Sequence, residues 1–295
     1  MSAPGDPTAL ITGAEGQIGL ALQSTAPAGW RVVACSSRTL DVADETVTRR
    51  VIDRERPALV FNAAGYTSVD AAEADPERAM VVNARGAAHV ARAARESGAR
   101  LVHLSTDFVF DGRQGHPYAH DAVPNPLSVY GRTKAVGERE VASLSGESAV
   151  IVRTAWVYSA HRRNFVLTML RLMREQELVN VESDQVGTPT WARSLADALW
   201  TIADLPEIRG MHHWTDAGVA SWYDFAVAIQ EEALAAGLLD REVPVVPVAS
   251  ADYPTPAVRP PYSVLDKSAT WAALGRSAHH WRVNLRHMIE GLRRG

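Results

Sequence analysis

A short apolar run, Thr8 to Thr12, leads straight into Gly13-Ala14-Glu15-Gly16-Gln17-Ile18-Gly19. Glycines at three-residue spacing let a tight turn bring backbone N–H groups against a diphosphate. The helical pattern that follows, Gln17 to Ser24, aims its positive N-terminal end at the same charge. A glycine triplet alone says little. Between a strand and a helix at the head of the chain, it points to a dinucleotide-binding turn at the edge of a parallel sheet, with a purely structural β-α turn as the alternative.

The alternation continues. Arg31 to Ala34 is predicted as the second strand, and Asp44 as the N-cap of a helix running toward Arg56 and ended by Pro57. Ala58 to Asn62 is a third strand. Asp75-Pro76 predicts a capped helix with proline in its first turn, running to about Ser97 and stopping at Gly98. Strand Leu101 to Ser105, a helix from about Ser128 to Leu144 and strand Ala149 to Arg153 follow. This implies an α/β fold, a Rossmann-type doubly wound parallel sheet with helices on both faces. After about residue 155 the regularity fades. Helices are predicted for Phe165 to Glu175, Arg193 to Ala203 and Trp222 to Ala236, and the prolines between Val243 and Pro261 suggest a long ordered loop. The expected division is a dinucleotide-binding core over residues 1–155, then mixed segments over residues 156–295 that complete the sheet and form a smaller C-terminal substrate-binding lobe.

Charge and composition exclude other classes. A net charge of −4 with mixed signs gives no electrostatic footprint for nucleic acid. No apolar stretch is long enough to span a bilayer. From Met1 the N-terminus lacks the basic segment and apolar run of a signal peptide. The one cysteine, Cys35, forms no internal disulfide and no cysteine-based zinc cluster. A cytoplasmic enzyme fits these features. Oligomeric state is written in no motif, and a homodimer is compatible with the chain.

The end of the second strand distinguishes NADPH from NADH. A carboxylate there would bind the adenosine ribose 2′-OH and repel a 2′-phosphate. This chain reads Cys35-Ser36-Ser37-Arg38, and Ser37 and Arg38 suit a phosphate, so NADPH is favoured with NADH as the alternative. The cofactor turn itself is Gly13, Gly16, Gln17, Ile18 and Gly19.

Tyr130 and Lys134 lie four residues apart on a predicted helix and share a face. An ammonium beside a phenol favours the phenolate and is expected to lower the tyrosine pKa from about 10 toward the range useful for proton transfer. The spacing alone is common. Its weight comes from its place after a strand ending in Ser105-Thr106-Asp107, at the sheet edge that carries the glycine turn. Thr106 can offer its hydroxyl to the same carbonyl oxygen. Thr106, Tyr130 and Lys134 are therefore the candidate catalytic trio. No metal site is expected. His212 and His213 are adjacent and would face opposite sides of a strand, and His279 and His280 share that problem. His120 sits in a predicted loop within reach of the site, with a solvated loop histidine as the commoner reading.

These blocks resemble the extended short-chain dehydrogenases and, among them, the dTDP-4-dehydrorhamnose reductase family. The resemblance runs through Gly13 to Gly19, Asn62 to Asp70, Ser105 to Gly112, Tyr130 to Lys134, Arg153 to Tyr158 and Asn164 to Val166. It continues in Asp184 to Thr190, Ser221 to Ala226 and Tyr253 to Pro260, which are the blocks most specific to that family. The resemblance implies that Thr106, Tyr130 and Lys134 are catalytic, with Lys134 also holding the nicotinamide ribose. It places Ala63, Ala64, Gly65 and Tyr66 near the cofactor, and Asp41 and Val42 near the adenine. It puts Phe108, Trp156 and Asn164 near the sugar and Arg259 near the substrate diphosphate. The implied reaction is NADPH-dependent reduction of the 4-keto group of a dTDP-linked 6-deoxysugar. Phe108 stands where the family often has tyrosine, and His120 where it usually has glutamate, which leaves the exact sugar open.

Two other readings differ in class. A dehydratase on this fold usually has an Asp-Glu pair after the threonine, whereas Asp107 is followed here by Phe108; an epimerase on the same fold is opposed by the C-terminal blocks. A regulatory role resembling the β subunit of methionine adenosyltransferase is opposed by the intact trio.

Overall fold

The computed structural model describes residues 5–294; Met1 to Pro4, on which part of the N-terminal reading rests, lie outside the described residues. Strands β1 (Thr8–Thr12), β2 (Arg31–Cys35), β3 (Leu59–Asn62), β4 (Arg100–Thr106) and β5 (Ala149–Thr154) form one parallel sheet in the order β2-β1-β3-β4-β5. A sixth strand, Gly210–His213, joins the free edge of β5, also in parallel. β1 and β3 are buried at every residue, as strands covered on both faces must be.

Successive side chains alternate between the two faces. Ile11, Phe61, Val102 and Val152 pack on one side against α1 (Gln17–Ser24) and, from much later in the chain, Leu195 and Leu199. Leu10, Val60, Leu101 and Ile151 pack on the other side against α2 (Glu45–Glu55) and Val90, Ala94 and Val141. The Asp44 side chain accepts from Val47 N at 2.9 Å and caps α2. Arg56, held at φ 43°, ends α2 before Pro57, which cannot continue a helix.

The helix predicted from Asp75 is broken. After α3 (Val69–Ala74), α4 (Pro76–Met80) passes through a π turn, Val81–Arg85, into α5 (Gly86–Glu96). The wide turn directs Asn83 inward, where its Oδ1 accepts from Tyr66 N at 2.8 Å and its Nδ2 donates to Tyr66 O at 3.1 Å and Thr133 Oγ1 at 3.0 Å. Asn83 thus ties the loop after β3 to α6 (Val129–Ser145).

The remaining helices are α7 (Phe165–Glu175), α8 (Ala192–Asp204), α9 (Trp222–Ala235), α10 (Ser268–Leu274) and α11 (Trp281–Arg294). α8 returns to cover the sheet beside α1, and α7, α9 and α11 share a second core around Met173, Phe225, Leu285 and Ile289. The proline-rich stretch expected to be a loop contains a strand, Val245–Val248, paired in parallel with Val179–Glu182. Pro247 is accommodated because this is an isolated two-stranded ribbon. Among the described residues no helix is long and apolar enough to cross a membrane.

Candidate active site

A cleft of about 1000 Å³ opens at the carboxyl ends of β1, β3, β4 and β5. The chain order reverses between β1 and β3, so this is the crevice where parallel α/β sheets take ligands. Gly13, Gly16, Gln17 and Ile18 line one wall. Gly13 has φ 64°, and a Cβ there would stand 2.6 Å from Ala63 O. A side chain at this position would force the turn away from β3 and fill the space a diphosphate needs. Gly16 caps α1 without a side-chain bond, and no acid occupies the helix's first turn. The turn therefore presents a positive, uncapped helix end to the cleft, and these residues fit a dinucleotide.

Ser37, Asp41 and Val42 line the cleft beyond the turn, and Ala63, Ala64, Gly65 and Tyr66 line it after β3. Two residues expected to bind cofactor stand elsewhere. Gly19 lies behind the turn, where a Cβ would meet Gly13 O at 2.4 Å; its smallness lets α1 pack against the turn. Arg38 lies outside the cleft lining, largely exposed, with Nη2 3.0 Å from Glu15 Oε1.

Thr106, Tyr130 and Lys134 all line the same cleft. Ser128 starts α6 by accepting from Gly131 N at 3.1 Å. Gly131 makes the approach possible, since a Cβ there would lie 2.1 Å from Phe108 O. The first turn of α6 is thereby pressed against the end of β4, and Tyr130 stands beside Thr106. The Thr106 hydroxyl donates to Asp107 Oδ1 at 3.0 Å and accepts from Phe108 N at 3.2 Å. Asp107 is buried, also accepts from Ser263 Oγ, and is pushed up to about 6 mainly by loss of solvent.

The electrostatics differ from the sequence expectation. Burial pushes the Tyr130 phenol up to about 12, against a hydrogen bond with Thr106, with the Asp107 charge adding to the rise. Burial outweighs any lowering by Lys134, whose ammonium donates to Leu104 O at 2.6 Å and is itself brought down to about 8 by burial, with Glu138 opposing. Tyr130 is a phenol that keeps its proton throughout the neutral range.

The opposite wall carries Trp156 and Trp222, stacked with centroids 3.6 Å apart and planes 6° from parallel. Trp156 has φ 47°, and Gly187 leaves room for its indole, which a Cβ would approach to 2.5 Å. Phe108 also lines the cleft, 5.8 Å edge-on from Tyr130. Arg259 reaches it while paired with Asp70 at 2.8 Å. Asn164 is not part of the lining. Its Oδ1 accepts from Leu167 N at 3.2 Å as the cap of α7, and its Nδ2 donates to Ser159 O at 2.8 Å. Trp222, Arg78, Arg162 and Arg163 line the cleft without having been marked by sequence; the double arginine before Asn164 was the available signal.

His120, His212 and His213 lie apart from this chemistry. Burial and Arg153 bring His213 down to about 3, and it faces Asp266 O and Arg153. His212 faces Thr270 and Arg209 O. His120 is not part of the cleft lining. Among the described residues no group of three or more His, Cys, Asp or Glu could hold a metal ion.

A glycine turn at the carboxyl edge of a parallel sheet, facing a Thr-Tyr-Lys cluster with Thr106 and Lys134 buried and Tyr130 partly exposed to the cleft, defines a dinucleotide-dependent oxidoreductase of the short-chain type. A family model described as the RmlD substrate binding domain matches residues 8–294, and the chain belongs to this family. It is 38% identical to a dTDP-4-dehydrorhamnose reductase of Aggregatibacter actinomycetemcomitans, covering 95% of this chain and 97% of the relative. It is 39% identical to a dTDP-4-keto-6-deoxy-D-glucose reductase of Streptomyces niveus, covering 94% of each. Among solved structures, dTDP-4-dehydrorhamnose reductase from Bacillus anthracis in complex with NADP superposes with a TM-score of 0.91 at 33% identity, covering 96% of this chain and 98% of that one.

Proposed function

We propose that this chain reduces the 4-keto group of dTDP-4-dehydro-L-rhamnose (dTDP-4-dehydro-6-deoxy-L-mannose) with NADPH, giving dTDP-L-rhamnose. The observation that carries this reading is the Thr106–Tyr130–Lys134 cluster, set in one cleft between the glycine turn and the Trp156–Trp222 stack. The names of the relatives, and the NADP in the Bacillus anthracis structure, support the substrate and the cofactor.

Bound NADPH supplies the hydride. Gly13, Gly16 and the start of α1 receive its diphosphate, and Ser37, Asp41 and Val42 take the adenosine end. Tyr130 gives its proton to the C4 oxygen as the carbon is reduced. A phenol at about 12 is fully loaded for that step, and the Lys134 charge stabilises the phenolate left behind. One Lys134 N–H is fixed on Leu104 O, which leaves the others for the nicotinamide ribose. Thr106 rotates its hydroxyl from Asp107 to the carbonyl oxygen and polarises it. The stacked Trp156 and Trp222 indoles offer apolar surface to the deoxysugar ring. Arg259, already neutralised by Asp70, reaches the substrate diphosphate through its remaining N–H groups.

A second reading keeps the chemistry and changes the sugar. Phe108 places no hydroxyl beside Tyr130, and the Streptomyces niveus relative is named for a D-gluco keto sugar. Cytoplasmic residence and self-association as a homodimer belong to the same proposal; sedimentation of the purified chain tests the latter.

The decisive experiment follows NADPH oxidation with dTDP-4-dehydro-L-rhamnose generated in situ, beside dTDP-4-keto-6-deoxy-D-glucose, with product analysis. Oxidation yielding dTDP-L-rhamnose is expected. Turnover of the D-gluco substrate alone would favour the second reading, and turnover of neither by a chain that binds NADPH would overturn both.

A further inference from the structure

We propose that Arg162 and Arg163 form a clamp on the diphosphate of NADPH, reaching across from the C-terminal side of the cleft, opposite the glycine turn. The inference rests on the dinucleotide reading of that turn and adds residues from a part of the chain that sequence assigned to the sugar.

Both arginines line the cleft together with Gly13, Gly16 and Gln17. Their segment is fastened to the turn itself. Gln17 Nε2 donates to Val157 O at 3.3 Å, Ser159 Oγ donates to Gln17 Oε1 at 3.0 Å, and Arg162 Nε donates to Glu15 O at 2.6 Å. These contacts cross about 140 residues of sequence and place a guanidinium beside the glycine turn of the cleft.

Arg162 holds φ 63°, a left-handed backbone that a residue with a side chain adopts only when its surroundings impose it. Asn164 imposes it, since Nδ2 donates to Arg162 O at 3.0 Å and to Ser159 O at 2.8 Å. Asn164 is thus a positioning residue for the clamp, which gives a physical reason for its place outside the cleft lining. The charges fit a dianionic group. Glu15 supplies one carboxylate to two arginines, Arg38 at 3.0 Å and Arg162 at 4.0 Å. Arg163 has no ion-pair or hydrogen-bonding partner for its guanidinium among the described residues. Positive charge therefore exceeds negative at the turn, as a diphosphate requires. Arg259, the cation assigned to the substrate diphosphate, is by contrast neutralised by Asp70.

The test is calorimetric titration of the full chain with NADPH, NADH and dTDP. Arg162→Ala and Arg163→Ala should each weaken NADPH and NADH by the same factor, about 5- to 30-fold, because the diphosphate is common to both. dTDP affinity should stay unchanged. Asn164→Ala should weaken both dinucleotides in parallel, and Asn164→Asp, which keeps the α7 cap but cannot donate to Arg162 O, should do the same. Unchanged dinucleotide affinity in both arginine variants, or a loss confined to dTDP, would overturn the clamp. A wild-type chain that binds neither dinucleotide would sink the cofactor reading itself, a different failure.

Discussion

At the scale of single residues, the site is organised by which proton sits where. Tyr130 at about 12 keeps its proton, so Tyr130→Phe should leave NADPH affinity within about twofold and lower kcat by about 10²- to 10⁴-fold. Near-normal turnover in a stopped-flow assay would remove Tyr130 from its role. Lys134, at about 8, loses its charge as pH rises through that value, so the phenolate loses its support on the alkaline side. The pH profile of kcat should therefore fall above about pH 8, and Lys134→Ala should weaken both NADPH binding and rate. Gly131→Ala would place a methyl against Phe108 O and swing Tyr130 off its axis. A large loss of kcat with an unchanged circular dichroism spectrum is expected.

At the scale of elements, ends and bridges matter most. Arg100, at the start of β4, donates to Ala203 O, Leu205 O and Ile208 O at 2.7 to 2.9 Å and so closes the carbonyl end of α8. Arg100→Ala should cost about 2–4 kcal/mol in urea unfolding. α1 and α7 agree with their sequence-predicted bounds because local signals set them, a glycine turn before one and Asn164 before the other. Caps at Asp44 and Asp75 were equally readable. The π turn was not, because its cause is Asn83 meeting Thr133 fifty residues away. Strand Val245–Val248 was concealed by Pro247, and α11, though amphipathic, lies in a region where the β-α rhythm offered no frame. In the site, the trio and the turn were visible as motifs. The places of Arg38 and Asn164 were not, since each is decided by a partner's geometry, Glu15 for one and the backbone of Ser159 and Arg162 for the other.

At the scale of the whole molecule, stability rests on charges buried away from water. Arg153 and Glu138 form a two-pronged pair at 2.7 and 2.8 Å, almost fully buried beneath the site. Removing one partner, as in Glu138→Gln, should cost about 3–5 kcal/mol in denaturant unfolding by stranding the other. Burial raises Asp216 from 3.8 to about 6, against hydrogen bonds that include one from Trp191 N. Its folded pKa is the higher one, so its contribution to stability is fully present below about pH 4 and is lost as pH rises through about 6. The unfolding free energy of the wild type minus that of Asp216→Asn should fall by up to about 3 kcal/mol between pH 4 and 7; a flat difference would show that Asp216 is not held neutral. The sheet carries a last consequence. Its sixth strand comes from residues 210–213 and the helix that roofs β1 beside α1 from residues 192–204. A nascent chain that has left the ribosome only as far as α7 therefore holds β5 as a bare edge and one sheet face still wet. Synthesis must run some sixty residues past β5 before that edge is closed, and during this interval the half-finished sheet is open to pairing with a neighbour.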